Sequence, residues 1–297
     1  MTFPDLGKPR IGIAWMVCSG LAFVVQNGIV RHMGADIPAL QSAFIRFVWG
    51  VILLAPMLPH LMRHVPAKVV PALIWRGVFH AAAVVLWFYA MARIPIAQVT
   101  AIGYLNPVLM LLAGSVLLGE ALPLRRILAV VAALIGALIV LRPGLQVLGF
   151  GHLAQIGAAI CFCGSYLLAK QLSSQISASV IVAMMSLVVV VILAPLAWMV
   201  WQPVTSVQIL WLGGVAVMAT VGHYCMTRAF RAAPLAVTQP VVFLQLVWAT
   251  ILGASLFGEP VDAYVLFGGA LIIGAISWLA WRDHQSASTL AEGQRAP

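Results

Sequence analysis

The sequence predicts an all-α integral membrane protein, with ten transmembrane helices arranged as two inverted five-helix repeats. Three observations predict it. Of 297 residues, 63% are hydrophobic and 8% charged, too few charges to cover a water-soluble surface of this size. Apolar runs of 18 or more residues recur along the chain. Finally, Pro95 to Glu120 aligns without a gap on Pro234 to Glu259 at an offset of 139 residues, with 8 of 26 positions identical. Such self-similarity marks an internal duplication.

The spans fall near residues 11–31, 38–59, 71–93, 95–118, 122–142, 151–172, 178–201, 207–230, 235–257 and 261–281. Lys8 and Arg10 precede the first run, which lacks a small-residue cleavage site and reads as a retained helix. Short links make neighbouring helices antiparallel hairpins. The 139-residue offset recurs beyond the opening match. Gly12 pairs with Gly151, Arg31 with Lys170, Ala55-Pro56 with Ala194-Pro195, and Ala90 with Ala229. With one residue deleted, Gly136-Ala137 pairs with Gly274-Ala275. Five helices repeated once put the second copy into the membrane from the opposite side. The repeats cover residues 1–142 and 151–281, and residues 283–297 read as a disordered cytoplasmic tail.

Orientation follows from Lys and Arg. With the N-terminus cytoplasmic, twelve of them, Arg76 included, fall on the inner side. Arg31, Arg93 and Arg142 fall on the outer side. The positive-inside bias therefore places both termini in the cytoplasm. Basic residues spread singly over short links serve orientation, so no nucleic-acid partner is expected. Small residues cluster at Ala132, Ala133, Gly136 and Ala137, and at Gly268, Gly269, Ala270, Gly274 and Ala275, as close helix packing in lipid requires. Cys18, Cys161, Cys163 and Cys225 lie in apolar runs without metal or redox spacing, and no cofactor or metal is expected.

The seven carboxylates fall in tails and helix connections, none at mid-span. Proton relays of the carboxylate type are thus absent from the span centres. Glu120 and Glu259 each follow the glycine that ends spans four and nine, where a carboxylate suits the positive N-terminus of the next helix. Polar residues inside the spans form the candidate substrate site. Arg46 lies about 12 Å inside span two, and facing lipid would cost it at least about 2.5–3.5 kcal/mol. It is a candidate for an anionic substrate group or a gate, against a structural bond to carbonyls. His80 and His223 are candidates for proton coupling or for satisfied bundle histidines. Asn106 precedes Pro107, which breaks span four, and Gln245 is its repeat mate. The two are expected at one depth, facing each other across the pseudo-axis. Pro240 breaks span nine beside Gln239. Trp87, Tyr89, Tyr104, Tyr166 and Tyr224 are aromatic candidates for pocket lining, against interfacial anchoring.

The phrases FYAMARIPIAQVTAIGYLNPVLMLLAGSVLLGE and CMTRAFRAAPLAVTQPVVFLQLVWATILGASLFGE carry a resemblance. Together with Arg46 in FIRFVWG and the Arg31/Lys170 pair, they resemble the drug/metabolite transporter superfamily of EamA type over residues 11–281. The resemblance implies a ten-helix bundle in a bacterial inner membrane, with a cavity lined by spans one, three, four, six, eight and nine. It implies a secondary carrier for a small amphipathic metabolite, such as an amino acid or drug-like compound, working by alternating access as a monomer or homodimer. Uptake or exchange of a nucleoside-, vitamin- or S-adenosylmethionine-like metabolite is the second reading. A membrane-embedded enzyme would need a metal or acid/base cluster that the chain lacks. A passive channel favours oligomeric rings over a single-chain repeat.

Overall fold

The computed structural model describes residues 9–56, 65–106, 124–142, 148–173, 175–232 and 244–293, with residues 59, 63, 109, 113 and 241 besides. Among them are ten α-helices. The first repeat contributes α1 (Pro9–Met33), α2 (Ala39–Leu54), α3 (Val70–Met91), α4 (Ile96–Gly103) and α5 (Leu124–Leu141). The second contributes α6 (Phe150–Ser173), α7 (Ala178–Met199), α8 (Ser206–Ala232), α9 (Leu244–Phe257) and α10 (Ala263–Gly293). Pro107, Glu120, Gln239 and Pro240 lie outside the described residues.

Local chemistry starts and stops these helices. Ser177 caps α7 by accepting from the Val180 N–H. Thr205 and Gln208 form a reciprocal capping box at the start of α8: Gln208 N–H donates to Thr205 Oγ1, and Thr205 N–H to Gln208 Oε1. Gly258 adopts φ +63° just after α9, the left-handed turn that ends a helix. α10 runs to Gly293, into the stretch that the sequence reading assigns to the tail. The stretch Asp283 to Glu292 holds no Gly or Pro to stop it.

Five of the helical segments are long and apolar enough to span a bilayer by length and composition: Arg10–Met33, Ala67–Met91, Phe150–Ala169, Ser179–Met199 and Ser206–Met226. The exterior is apolar, with Phe150, Val191, Trp198, Met199 and Leu256 all prominently exposed. Arg46, Arg76, His80 and Gln41 are buried. That inside-out polarity suits hydrocarbon as solvent and would be ruinous in water.

The helices pair as the duplication requires. α1 packs on α8, and its mate α6 packs on α3. α2 meets α8 as α7 meets α3, and α1 meets α9 as α6 meets α4. The remaining major contacts, α2 with α7, α4 with α9 and α5 with α10, join each helix to its own mate. The core is therefore made mostly between the repeats, with α2 also packing on α3 within the first. α5 and α10 cross backbone to backbone. A Cβ added at Gly136 would lie 2.6 Å from the Gly268 carbonyl and 2.7 Å from Ile272, and one added at Gly268 would meet Gly136 and Val140. Gly136 thus neighbours Ile272 while Val140 neighbours Gly268, so equivalent helices run antiparallel. This is the geometry of inverted repeats. The contact is not centred on the aligned pair, since Gly274 has no atom within 4 Å of an added Cβ.

Gly136→Val should cost about 1–3 kcal/mol through overpacking against a backbone carbonyl. Gly274→Ala should be neutral or stabilising by up to about 1 kcal/mol. Apparent melting temperatures of the two purified variants compare them directly.

Candidate functional site

Four helices bring a polar cluster together in the bundle interior. α2 supplies Arg46, only 6% exposed, with its guanidinium carbon 4.4 Å from the Phe47 ring centroid. Nε and Nη1 of Arg46 are buried without a hydrogen-bond partner. α3 supplies His80, whose Nδ1 shares a 3.2 Å hydrogen bond with Ser165 Oγ of α6. Its Nε2 is buried and unpartnered. The His80 ring sits edge-on to Phe47 at 5.8 Å and to Phe162 at 5.3 Å. Phe162 in turn stacks on Tyr166, one helical turn further along α6, at 5.7 Å and 14°. α8 supplies His223, edge-on to Phe23 of α1 at 5.1 Å. Arg46 and His80 both meet the Phe47 ring, and Tyr166 stacks on the Phe162 ring that His80 also meets, so these three share one run of contacts. α2 takes part alongside α3, α6 and α8, although the family resemblance does not place span two at the cavity.

The polar cluster also contains Arg76, which the sequence reading assigns to the inner surface. It is 6% exposed within α3, one turn before His80. Its Nη1 donates to the Ile181 carbonyl of α7 at 2.8 Å, and its Nε has no partner. Counting residues from the span end hides this, whereas the four-residue spacing of Arg76 and His80 places them on one helix face. Ser165 was likewise unmarked, because a lone serine in a span has no signal of its own.

The remaining candidates divide. Trp87 is buried in the apolar core against Phe88, at 5.0 Å. Tyr104 is buried at the end of α4 and hydrogen-bonds the Leu246 backbone of α9. Asn106 donates to the Ala159 carbonyl of α6 at 3.2 Å. The Cβ of Gln245 lies near Gly20 of α1, and Gly20 is the repeat mate of Ala159. So Asn106 and Gln245 occupy equivalent seats, each against the first helix of the opposite repeat. Two aromatic candidates lie elsewhere. Tyr224 is 56% exposed on the outer face of α8, beside Trp15 and Arg228. Tyr89 carries the Arg93 guanidinium on its ring at 3.6 Å, near the end of α3. Both belong to the bundle surface, where an aromatic ring anchors at the interface.

One end of the bundle is tied by side chains. Glu259 Oε1 pairs with Arg31 Nε at 2.8 Å, and Oε2 accepts from the Ile96 N–H at 3.0 Å. Pro95 offers α4 no capping side chain, so Glu259 fills that place from the other repeat. The expectation that Glu259 serves its own following helix is corrected accordingly: Asp262 takes that role, accepting from Tyr264 N–H and pairing with Arg142. At the same end, Gln41 donates to the Gln202 carbonyl and accepts from the Gln202 N–H. A second buried network joins His152 to Gln98 at 3.0 Å and Gln155 to the Val99 carbonyl at 3.1 Å.

An antiparallel duplicated bundle with a polar interior and an apolar exterior is the build of a secondary transporter. The chain belongs to the EamA-like transporter family, whose model matches residues 10–142 and 149–281. It is therefore a small-metabolite transporter of the drug/metabolite transporter superfamily, a multi-pass membrane protein and not an enzyme. Similar proteins include the pseudopaline exporter CntI of Pseudomonas aeruginosa, 26% identical over 90% of this chain and 94% of that protein. A riboflavin transporter of Rhizobium johnstonii is 28% identical over 89% of each chain. An S-adenosylmethionine uptake transporter of Rickettsia prowazekii is 23% identical over 95% of this chain and 97% of that protein. A solved crystal structure shares the fold, with TM-score 0.58 at 20% identity over 97% of this chain and 98% of that one.

The Arg31–Glu259 pair is largely shielded, at 22% and 8% side-chain exposure. A double-mutant cycle with Arg31→Ala and Glu259→Ala should give a coupling of about 1–3 kcal/mol in unfolding measurements. A coupling below about 0.5 kcal/mol would class the pair with exposed, energetically idle bridges.

Proposed function

We infer that this transporter is a secondary carrier of the bacterial inner membrane, with cytoplasmic termini, that works by alternating access. The observation that carries the reading is the latch of Arg31, Glu259 and the Ile96 N–H. All three lie at one end of the bundle and join the two repeats. The positive-inside count makes that end the outer one. The same positions recur in the other repeat as Lys170, Glu120 and Leu235, at the inner end. A carrier that exchanges one latch for its mate closes each side in turn, and inverted repeats supply the two conformations by symmetry. Substrate is held meanwhile at the interior cluster of Arg46, Arg76, His80, Tyr166 and His223, with Tyr104, Asn106 and Gln245 lining the seam of α4 and α9.

Relatives named for pseudopaline, riboflavin and S-adenosylmethionine span export and uptake, and they set the scale of the substrate as a metabolite. At about a quarter identity they do not choose among these for this chain.

The latch is tested in a variant freed of Cys18, Cys161, Cys163 and Cys225. With cysteines at positions 31 and 259, a short thiol-to-thiol cross-linker should abolish metabolite counterflow in proteoliposomes, and a cleavable linker should restore it on reduction. Undiminished counterflow after complete cross-linking would rule out opening at this end.

A further inference from the structure

Among the described residues, the carrier's interior holds two guanidiniums, Arg46 and Arg76, and no acid to balance them. Between Asp36 and Glu259 the sequence contains a single carboxylate, Glu120. Glu120 ends span four, and its repeat mate Glu259 is engaged at a bundle end by Arg31. Arg46 keeps Nε and Nη1 unpartnered although buried, and Arg76 keeps Nε unpartnered. A buried donor without an acceptor is strongly disfavoured, and a buried cation without a counter-charge more so. Natural interiors retain such groups where a ligand completes them.

We propose that the substrate is an organic anion, a carboxylate on a planar aromatic body that carries no ammonium group. This assignment rests on the carrier reading above and names its substrate class. Two N–H donors of a guanidinium match the two oxygens of a carboxylate in a parallel fork. The apolar part is set by the neighbours. Phe47, Phe162 and Tyr166 present ring faces and edges within one run of ring contacts that passes through His80. Stacked and edge-on contacts of that kind suit a flat ring of the ligand. The exclusion of an ammonium follows from the same charge count. A zwitterion or cation would bring a positive charge beside Arg46 and Arg76 and find no carboxylate at mid-span to receive it. Like charges at short range in a medium of low dielectric repel strongly.

Four probes with one phenyl body separate the alternatives: phenylpyruvate is an anion, phenylalanine a zwitterion, 2-phenylethylamine a cation and 2-phenylacetamide neutral. Added in excess to the purified protein, phenylpyruvate should raise the apparent melting temperature by about 3 °C or more, as a ligand that binds only the folded state does. The other three should give less than about a third of that shift. In Arg46→Gln the phenylpyruvate shift should vanish, while the ligand-free protein melts no lower than wild type, because an unbalanced buried charge has been removed. Arg46→Lys keeps the charge but loses the fork, and should retain about half the shift. Equal stabilisation by phenylalanine or phenylacetamide would overturn the anion assignment and leave the carrier reading standing. No shift with any of the four would overturn both. A ligand-free Arg46→Gln that melts well below wild type would make Arg46 a structural group and overturn the proposal.

Discussion

Everything in this fold follows from the need to satisfy polar groups without water. The hydrocarbon around the bundle accepts the exposed leucines, valines and tryptophans and offers nothing to a polar atom. Polar side chains therefore turn inward, and most find partners across the repeat boundary. Ser19 bonds to Gly222, Arg76 to Ile181, His80 to Ser165 and Asn106 to Ala159, each joining one repeat to the other. The repeats are consequently held together by the very groups that would be intolerable on their outer faces. Among the atoms that stay unpaired are Nε and Nη1 of Arg46 and Nε of Arg76, the donors on which the proposed substrate assignment rests.

Duplication explains the architecture, and departures from it explain the site. The packing of α1 on α8 and α6 on α3 is the same contact made twice. Asn106 against Ala159 and Gln245 against Gly20 preserve the correspondence in side chains. Arg46 faces Met185 in the alignment, His80 faces Ala219 and His223 faces Val84. Every strongly polar member of the interior cluster is thus placed where the mates differ. Symmetry serves the motion shared by both halves, while a single asymmetric substrate needs unlike walls. The latch at Glu259 belongs to the first class, since Arg31/Lys170 and Glu259/Glu120 keep their charges in both copies.

Much of this is legible in the chain itself. A fixed offset, an odd helix count and the bias of Lys and Arg yield ten helices in two inverted sets. Arg46 stands out because a single charge in a long apolar run has to be turned away from lipid. Other features depend on facts that a linear sequence does not contain. Arg76 lies close enough to a span end to pass for a surface cation, and only the rotation of α3 turns it inward. Tyr224 and His223 are neighbours in sequence about 100° apart around α8, and no pattern in so uniformly apolar a helix says which of them turns toward the core. Arg31 and Glu259 are 228 residues apart, and their pairing needs the three-dimensional crossing of α1, α4 and α9. Glycine stripes named the right helices for close packing, yet the crossing falls at Gly136 and Gly268 rather than at the aligned pair.

The central claim is that the buried polar interior is a route reached from each side of the membrane in turn. Ser165, fully buried beside His80, is the point at which to ask. A cysteine placed there in a background without the native four can be probed with a membrane-impermeant thiol reagent applied to either face of oriented vesicles. Labelling from the cytoplasmic face in the otherwise native protein, shifting toward the outer face when Glu259→Gln breaks the latch, is the predicted result. Exclusion of the reagent from both faces in both proteins, with folding intact, would mean that the interior is only a packed core.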